Sequence, residues 1–429
     1  MKALYFALLL VFFALPSSAA TGPGTTIGAG IGVAAKPERT TPEEMDRIHA
    51  AGFTYVRFDM RWSEVEHEAG VYDWSAFDDF IGQLRTHGLK PLIILDSPNG
   101  LYGEKVDVPP EQSYGGTWDY AAPHDDKARG AFAAFAAAAV SHFGAKDIVW
   151  EIWNEPDLVA FWAPKPNAND FTKLALKTCR AMRTAKPDAY IIGPALARVP
   201  WRVDIRYERF FRTFIQSPVK DCLNAISIHP YRLNEPESVI GDYNDKARPF
   251  IAAYTGAGKP TVPVVNTEWG YSSSDVTPEQ QAAYALRMHL SDLLAGVPIS
   301  IMYEWSDTPG LPDPREAHFG LMDSDGKPKA GAKIIEQILP KIKNATLVKR
   351  LPVDGDDCYV VLIRQPNGKN QLLAWMGLSK LENSWTLHIT DKNQQKPRSY
   401  ALSLVPQLIN IKASAPDIAV TKGPSLDAP

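Results

Sequence analysis

Residues 147–156 read DIVWEIWNEP, a short apolar run that ends abruptly in Asn154, Glu155 and Pro156. The apolar part has the length and the β-branched and aromatic content of a buried strand, and Pro156 cannot continue a sheet. A second run, VPVVNTEW at 262–269, ends in a similar way around Glu268. The two stretches predict strands that each carry an acid near the carboxyl end.

Six further runs of the same kind occur along the chain. With the two above they form a series of eight, beginning near residues 27, 54, 90, 147, 189, 223, 262 and 299. Parallel strands need connections of the size that separates these runs, and such connections are usually helical. Helix signals lie between them, such as the capping-box patterns TPEE at 41–44 and TPEQ at 277–280. Eight strand–helix units predict a (β/α)8 TIM barrel, a fold of the α/β class, over residues 21–342.

A doubly wound open sheet is the alternative arrangement of such units. A glycine-rich phosphate loop after the first strand would favour it. Gly28, Gly30 and Gly32 lie on the predicted first strand, but the spacing and the following acid of a dinucleotide site are missing. The barrel is therefore preferred, and no cofactor is expected.

The character of the sequence changes after residue 342. The short strand-like segments TLVKRL, CYVVLIR, QLLAWMG and SWTLHIT are divided by the turn-forming stretches DGDD, PNGKN and KLEN. This pattern predicts a small antiparallel, sandwich-like β domain over residues 343–429. The last stretch, APDIAVTKGPSLDAP, is rich in Pro, Ala and Ser and is expected to be a loose tail.

The first 20 residues have the features of a signal peptide. Lys2 precedes an apolar run over 3–15, and Ser18 and Ala20 are spaced like a cleavage site. That run is too short to span a bilayer, and no later stretch is long and apolar enough to do so. The protein is therefore expected to be secreted, to the periplasm or outside the cell, without a membrane-spanning segment in the mature chain. An uncleaved membrane anchor is the alternative.

Composition excludes some classes of partner. The formal net charge is −4, so no basic excess points to nucleic acid or to an anionic membrane surface. Three cysteines, Cys179, Cys222 and Cys358, show no metal-ligand spacing. In an exported chain, either Cys179 and Cys222 pair and one thiol stays free, or all three are buried thiols.

Glu155 and Glu268 are the acids best placed to do chemistry. Barrel active sites lie at the carboxyl ends of the strands, and strands four and seven lie across the barrel from each other. Two carboxyls there can flank one glycosidic bond, one protonating the leaving oxygen and the other stabilising or attacking the sugar carbon. Two acids that merely pair with Arg or Lys are the alternative. Of the rival acids, Glu151 lies deeper in its strand, where a buried hydrogen-bonded acid is expected, and Glu304 precedes Trp305 on the last strand.

Both strand ends carry the signatures of a known group of enzymes. WNEP at 153–156 and TEW at 267–269 resemble the two catalytic signatures of clan A glycoside hydrolases, and the resemblance spans roughly residues 25–342. Within the clan, the opening FTYVRFDMRWSEVEHEAGVYDWSAFDDFI at 53–81 and the appended β domain are most similar to family 39, with family 5 close in pattern. The resemblance implies that Glu155 is the general acid/base and that Glu268 is the nucleophile.

Strand alternation and the resemblance to the clan also predict roles for residues near the two acids. Strand alternation points Arg57 inward, where a fixed cation would keep Glu268 ionised; an Arg57–Asp59 core pair is the alternative. In the clan, the Asn of NEP binds the sugar 2-hydroxyl, a His ending strand six lines the site, and a following Tyr contacts the nucleophile. The matching residues here are Asn154, His229 and Tyr231, and a hydrogen-bonded structural histidine is the alternative for His229.

Aromatic and polar residues near the mouth are candidates for further sugar contacts. Trp305 is expected either to form the floor of the sugar subsite or to be plain core. A long loop lies between the third and fourth runs, and long loops in compact domains are usually functional. The possible outer subsites are Asn99 and Trp118 in this loop and Trp162 after the acid, with a self-packed lid as the alternative.

These features predict a retaining β-glycosidase that hydrolyses a β-linked polysaccharide or oligosaccharide by double displacement, with endo-action favoured. One alternative is an exo-acting β-xylosidase or β-glucosidase, and another is a non-catalytic sugar-binding barrel. The presence of both acids argues against the non-catalytic barrel. A metal-dependent hydrolase is a further option, but no HExxH or comparable cluster supports it, and no metal is expected.

Overall fold

A computed structural model gives the structure of the protein. It describes residues 25–108, 119–144, 146–199, 205–255, 262–311, 313–354, 357–390, 396–412 and 416–425. The expected signal peptide, residues 1–20, lies outside the described residues.

Eight parallel strands close into a barrel, which confirms the predicted TIM-barrel class. A two-residue strand, β1 (Thr25–Thr26), precedes them. Each barrel strand pairs in parallel with the next along the chain, and the last pairs with the first. The barrel strands are β2 (Ile31–Ala34), β3 (Tyr55–Arg61), β4 (Lys90–Asp96), β5 (Val149–Ile152), β6 (Tyr190–Leu196), β7 (Ala225–Ile228), β8 (Val264–Trp269) and β9 (Ser300–Met302).

Helices connect the strands and surround the barrel. They are α1 (Pro42–Ala50), α2 (Trp62–Val65), α3 (Ser75–Thr86), α4 (Asp126–Phe143), α5 (Ala168–Ala185), α6 (Ile205–Gln216), α7 (Ser238–Gly241), α8 (Arg248–Thr255), α9 (Pro278–Leu294) and α10 (Ala330–Ile342). A π-helical turn spans Asp242–Ala247, and 3₁₀ turns span Ile27–Gly30, Pro37–Arg39, Pro218–Asp221 and Leu378–Lys380. Both predicted capping boxes form, with Thr41 and Thr277 each accepting a backbone N–H three residues ahead.

The first barrel strand begins four residues later than the sequence predicted. Ile27–Gly30 form a 3₁₀ turn, because the N–H groups of Ile27 and Gly28 donate to the carbonyls of Ala345 and Lys343 instead of to a barrel neighbour. Gly30 is required by a close approach, since a Cβ there would lie 1.7 Å from the carbonyl oxygen of Pro298.

Two layers of apolar side chains make the core of the barrel. The inner layer fills the barrel with Leu92, Val149, Ile192, Ala225, Val265, Ile299 and Ile301. A much larger layer lies between the strands and the surrounding helices and continues onto one face of the C-terminal sheet. The barrel is therefore packed solid below its mouth, and a ligand can enter only from above the strands' carboxyl ends.

The chain after α10 forms two antiparallel sheets. Its strands are β10 (Thr346–Leu351), β11 (Cys358–Arg364), β12 (Asn370–Met376), β13 (Asn383–Thr390), β14 (Arg398–Ala401), β15 (Gln407–Asn410) and β16 (Asp417–Ser425). The inner sheet has the order β1-β10-β11-β12-β15, and the outer sheet has the order β14-β13-β16. Along β11, Tyr359 and Val361 face the barrel, whereas Cys358 and Val360 face the outer sheet.

Both ends of the described chain join this C-terminal part. The residues expected to be a loose tail instead form β16 over Asp417–Ser425, which pairs with β13 from Asn383 to Thr390. Alternating apolar residues explain this, because Ile418 and Val420 of β16 contact the core between the two sheets. At the other end, β1 pairs with β10 and so ties the start of the barrel to the inner sheet.

No helix among these described ranges is long and apolar enough to cross a membrane.

Of the two cysteine alternatives, the structure has the disulfide. Cys179 in α5 is bonded to Cys222, which follows the 3₁₀ turn after α6, and the Cα atoms are 6.2 Å apart. Cys358 is a free, buried thiol in β11. The bond closes a loop with a sequence separation of 43 residues across one side of the barrel.

The disulfide can be tested by counting thiols. Alkylation of the unfolded, unreduced protein should add one label, on Cys358, and reduction should raise the count to three. The double variant Cys179→Ala/Cys222→Ala should lose about 2–4 kcal/mol of stability, because the bond restricts the unfolded chain. Reduced wild-type protein, the matched control, should melt close to the double variant. Three labels without reduction would contradict the bond.

Candidate active site

Glu155 and Glu268 meet above the barrel in a cleft of about 590 Å³. Glu268 lies in β8, and Glu155 follows the end of β5. One oxygen of each carboxyl, together with a ring nitrogen of His229, forms a group whose atoms all lie within 4.8 Å of one another. Both side chains are largely buried, with exposed fractions of 11% for Glu155 and 13% for Glu268. The structure thus brings together the two acids that the sequence singled out.

An unusual backbone path carries Glu155 into the cleft. Trp153 and Glu155 both have positive φ, 68° and 43°, a conformation that non-glycine residues rarely adopt. The surroundings hold it there, since the Glu155 N–H donates to the carbonyl of Ala195, at 3.0 Å. The Asp157 carboxylate accepts the backbone N–H groups of Ala197 and Arg198, each at 3.0 Å. Strain fixed by such bonds is common where a side chain must be positioned for function.

Glu268 is held in its charged form by donors on two sides. Arg57 donates from Nη1 to Oε2 at 2.7 Å, and the Tyr231 hydroxyl donates to Oε1 at 2.5 Å. Burial by itself raises the pKa of this carboxyl. The positive charges of His229 and Arg57 and these hydrogen bonds outweigh burial, so the pKa of Glu268 lies below its usual value.

Arg57 faces the barrel interior, as strand alternation predicted, and it binds more than Glu268. Its Nε donates to Glu151 at 2.9 Å, and its Nη2 donates to Asn154 Oδ1 at 3.0 Å. Glu151 also accepts the Thr267 hydroxyl at 2.7 Å and is fully buried. Although burial lowers the pKa of Arg57, its two carboxylate neighbours raise it above the usual value, so the guanidinium stays charged. The alternative Arg57–Asp59 pair is absent from the ion pairs between described residues.

Glu155 has a different environment from Glu268. Burial raises its pKa, and the negative charge of Glu268 adds to the rise, while the hydrogen bond and charge of His229 oppose it. His229 Nδ1 lies 2.7 Å from Oε1 of Glu155 and 3.7 Å from Oε2 of Glu268. The pKa of Glu155 is therefore raised while that of Glu268 is lowered. Such a pair can divide the roles of proton donor and anion.

A third acid, Glu304, also lines the cleft but is paired separately. It forms an ion pair with Lys36 at 3.4 Å and accepts the Thr308 hydroxyl at 3.0 Å. Burial raises its pKa to about 7 despite the opposing charge of Lys36. Glu304 is therefore part of the cleft lining, and the positive charge of Lys36 favours its ionised form.

The structure corrects the prediction for Trp305. Its side chain is 2% exposed and packs against Phe53 between the barrel and the helices, with ring centroids 6.4 Å apart. Its backbone N–H donates to the carbonyl of Ala34, which fixes the residue outside the cleft. Tyr303 and Glu304 line the cleft instead, so the end of the last strand presents a tyrosine and an acid to a ligand.

Two of the three predicted outer subsites are also corrected. Asn99 is 4% exposed, donates to the carbonyl of Glu66 at 2.7 Å and accepts the N–H of Leu101, so it fastens its own loop. Trp162 is 2% exposed and packs edge-on against Trp153 and Phe171 in the core. Trp118 lies outside the described residues.

Several cleft residues were not singled out from the sequence. They include Tyr303 after β9, and Arg315 and Glu316 in the loop before α10. Arg315 bonds Asp275 at 2.7 Å and lies over the Tyr231 ring, 5.8 Å from its centroid. Alternation past the last strand is the signal that indicates Tyr303; the loop residues follow no local pattern.

Glu155, His229 and Glu268 could in principle ligate a metal ion, since their ligand atoms lie close together. The charge next to them opposes this. Arg57 already occupies one oxygen of Glu268 at 2.7 Å, and a second cation there would be repelled. His229 Nδ1 is engaged with Glu155. The donor set therefore suits an acid–base pair better than a metal.

Comparisons with known proteins agree with this geometry. The sequence profile described as "Cellulase (glycosyl hydrolase family 5)" matches residues 20–302. No curated protein matches the sequence.

Similar solved structures share the fold. A family 39 glycoside hydrolase from the gut symbiont Bacteroides cellulosilyticus WH2 has a TM-score of 0.70 at 22% identity, with 90% of this chain and 81% of that chain covered. A glucosidase from Croceicoccus marinus has a TM-score of 0.60 at 17% identity, covering 90% and 82%. A GH30 endoxylanase from Clostridium papyrosolvens C71 has a TM-score of 0.62 at 13% identity, covering 94% and 96%. At such low identities these likenesses concern the fold alone.

A metal requirement can be tested without a substrate. We expect dialysis against EDTA, or addition of Zn²⁺, to leave the melting temperature unchanged, because Arg57 disfavours a cation at the acids. The matched control is His229→Ala, which removes one of the three ligands. A zinc-dependent rise in melting temperature that disappears in this variant would reveal a metal site.

Proposed function

The chain belongs to the cellulase family of glycosyl hydrolases, family 5, and we propose that it hydrolyses a β-linked polysaccharide or oligosaccharide with retention of configuration. The clan predicted from WNEP and TEW is thereby confirmed, and so is a glycoside hydrolase activity. The matching profile is that of family 5, whereas family 39 is represented by a structural neighbour at 22% identity. The proposal concerns the mechanism, the mode of cleavage and the residues responsible.

The spacing of the two acids carries the proposal. Retaining glycosidases hold their carboxyl groups about 5–5.5 Å apart for direct attack, whereas inverting enzymes leave about 6.5–9.5 Å for a water molecule. One oxygen of Glu155 and one of Glu268 lie within 4.8 Å of each other, which is shorter than the separation that inverting enzymes use. The distance therefore supports double displacement.

The opposite pKa shifts of Glu155 and Glu268 support the proposed division of roles. In the first step a Glu268 oxygen bonds to the anomeric carbon as the bond to the leaving oxygen breaks, and Glu155 gives that oxygen its proton. In the second step Glu155 takes a proton from water, the water oxygen bonds to the anomeric carbon, and the bond to Glu268 breaks. Glu268 loses its charge when it is glycosylated, so Glu155, which has given up its proton, no longer has an anion beside it and stays ionised as the base for the second step.

Neighbouring side chains support each step. Arg57 and Tyr231 hold Glu268 ionised and oriented for attack. Asn154 accepts a hydrogen bond from Arg57 through Oδ1, and its amide N–H groups have no partner among the described residues. They are free to donate to a sugar 2-hydroxyl, a contact that strengthens in the transition state.

The extent of the cleft favours endo-action. Its lining comes from the ends or following loops of all eight barrel strands, from Lys36 after β2 to Tyr303 after β9. Tyr120, Phe161 and Arg198, which follow β4, β5 and β6, are part of this lining. A cleft lined around its whole circumference can hold sugars on both sides of the scissile bond. Sizing of the first products from a polysaccharide would distinguish this from an exo-acting β-xylosidase or β-glucosidase.

Secretion is also part of the proposal. The leader-like first 20 residues and the Cys179–Cys222 disulfide support it together, because disulfides persist in oxidising compartments outside the cytosol. A polysaccharide substrate would be met there.

The nucleophile can be identified by covalent trapping. Glu268→Ala should lower turnover of an aryl β-glycoside by about 10⁴-fold or more, since no other group can form the glycosyl intermediate. A 2-fluoro glycosyl inactivator should label Glu268, located by peptide mass spectrometry. Glu304→Gln, another cleft acid, is the matched control and should still be labelled at Glu268. Labelling at Glu304 in the wild type would overturn the assignment. A protein that neither hydrolyses the aryl glycoside nor is labelled by the inactivator would be a non-catalytic sugar-binding barrel.

The proposed role of Glu155 as acid/base can be tested by the pH dependence of turnover and by rescue with azide. Turnover needs Glu268 charged and Glu155 protonated, so the lowered and raised pKa values predict a bell-shaped profile. In Glu155→Ala the basic limb should disappear, and dinitrophenyl glycosides, which need no protonation, should suffer least. Azide should restore their turnover and give a β-glycosyl azide. An α-azide would mean inversion, with Glu268 as the base instead of the nucleophile.

A further inference from the structure

The segment that supplies His229 and Tyr231 to the two acids continues away from the cleft toward the C-terminal sheet. We call residues 229–237 the Tyr231 loop; it begins after β7 and ends where α7 starts at Ser238. Its last part carries two acids, Glu235 and Glu237, whose side chains are 20% and 3% exposed. Neither takes part in the proposed chemistry, and two acids this well covered require partners.

Arg287 in α9 supplies the charge that pairs both acids. It is fully buried, and its Nε and Nη2 donate to the two oxygens of Glu237 at 2.8 and 2.7 Å. The same Nη2 donates to Glu235 at 2.6 Å. A bidentate pair of this kind fixes the orientation of the two side chains as well as the distance between them. The end of the Tyr231 loop is therefore fastened to a barrel helix.

The C-terminal sheet completes the arrangement. The Trp375 ring N–H, in β12, donates to Oε1 of Glu237 at 2.7 Å. The backbone N–H of Leu378 donates to Glu235 at 2.8 Å. Trp375 is buried and stacks on Tyr359 with ring centroids 5.3 Å apart and an interplanar angle of 5°, so its direction is fixed by the sheet. We call Glu235, Glu237, Arg287 and Trp375 the latch.

We propose that the latch positions the Tyr231 loop, so that the C-terminal sheet takes part in catalysis by keeping Tyr231 on the nucleophile. The inference rests on the proposed function, in which Glu268 is that nucleophile. Tyr231 is four residues before Glu235 and bonds Glu268 at 2.5 Å, so a small displacement of the loop breaks that bond. The hydrogen bonds given above for Trp375, Glu237 and Arg287 go to none of the proposed reaction's residues, so they are positioning residues.

The alternative is that the latch merely holds the two parts of the protein together. The two cases differ in what a conservative variant does to the active site. A structural contact affects melting alone, whereas a positioning contact also changes the ionisation of Glu268, because the Tyr231 hydroxyl helps to keep its pKa low.

Trp375→Phe is the test, because it removes the ring N–H and keeps an aromatic ring. We expect kcat/KM for an aryl β-glycoside to fall about tenfold. The acidic limb of its pH profile should move to higher pH, in the direction of Tyr231→Phe, which lacks the hydroxyl itself. Hydrogen exchange should become faster in peptides covering 229–237. Glu237→Gln, which removes the ion pair, should produce the same changes if Trp375→Phe proves unstable.

Trp385→Phe is the matched control. The Trp385 ring N–H donates to the carbonyl of Lys380 at 3.1 Å, so the same substitution in β13 of the outer sheet also removes one hydrogen bond. It should lower the melting temperature slightly and leave kcat/KM, the acidic limb and exchange in 229–237 as in the wild type.

The result that would overturn the proposal is a Trp375→Phe enzyme that melts lower yet keeps the wild-type acidic limb and wild-type exchange in 229–237. A wild-type protein that hydrolyses no β-glycoside would contradict the proposed function and not the latch. Exchange in 229–237, which needs no substrate, would then still decide whether the latch holds the loop.

Discussion

The guanidinium of Arg57 is the constraint around which the active site is arranged. It is 3% exposed and donates hydrogen bonds to Glu268, Glu151 and Asn154, which lie on or directly after two barrel strands. Buried acids this close would repel one another without it. Loss of one partner from such a buried pair costs about 3–5 kcal/mol, because the remaining charge has no compensation. The cation therefore stabilises the barrel mouth and defines which acid is the anion.

The opposite pKa shifts of the two acids follow from a different balance of burial and neighbouring charge at each carboxyl. Glu268 accepts hydrogen bonds directly from Arg57 and Tyr231, so its ionised form is favoured even though the side chain is largely buried. Burial and the nearby charge of Glu268 raise the pKa of Glu155 and outweigh its hydrogen bond to His229, so its proton is retained longer. One side of the cleft thus favours the anion and the other the acid, with no need for a metal ion to separate them.

Much of this arrangement could be predicted from sequence because barrel geometry is periodic. Strand alternation and the rule that parallel strands end at one face were enough to bring Arg57, Glu155 and Glu268 together. The errors occur where periodicity ends. Trp305 lies just beyond β9, where a bond from its N–H to Ala34 decides its direction. Asn99 and Trp162 lie in loops whose packing depends on distant residues, and the apparent tail over Asp417–Ser425 becomes a strand only because β13 is available to pair with it.

The Tyr231 loop shows how a loop above the barrel can hold a side chain within hydrogen-bond distance of Glu268. Its first residue, His229, lies 3.4 Å from Arg57, inside the barrel mouth. Its last residue, Glu237, is bonded by Arg287 outside the barrel and by Trp375 from the neighbouring sheet. A segment fixed at both ends by buried charged groups has little freedom between them, and Tyr231 lies in that interval. The appended sheet is thus connected to the cleft through buried hydrogen bonds, although it lies far along the chain from Glu155 and Glu268.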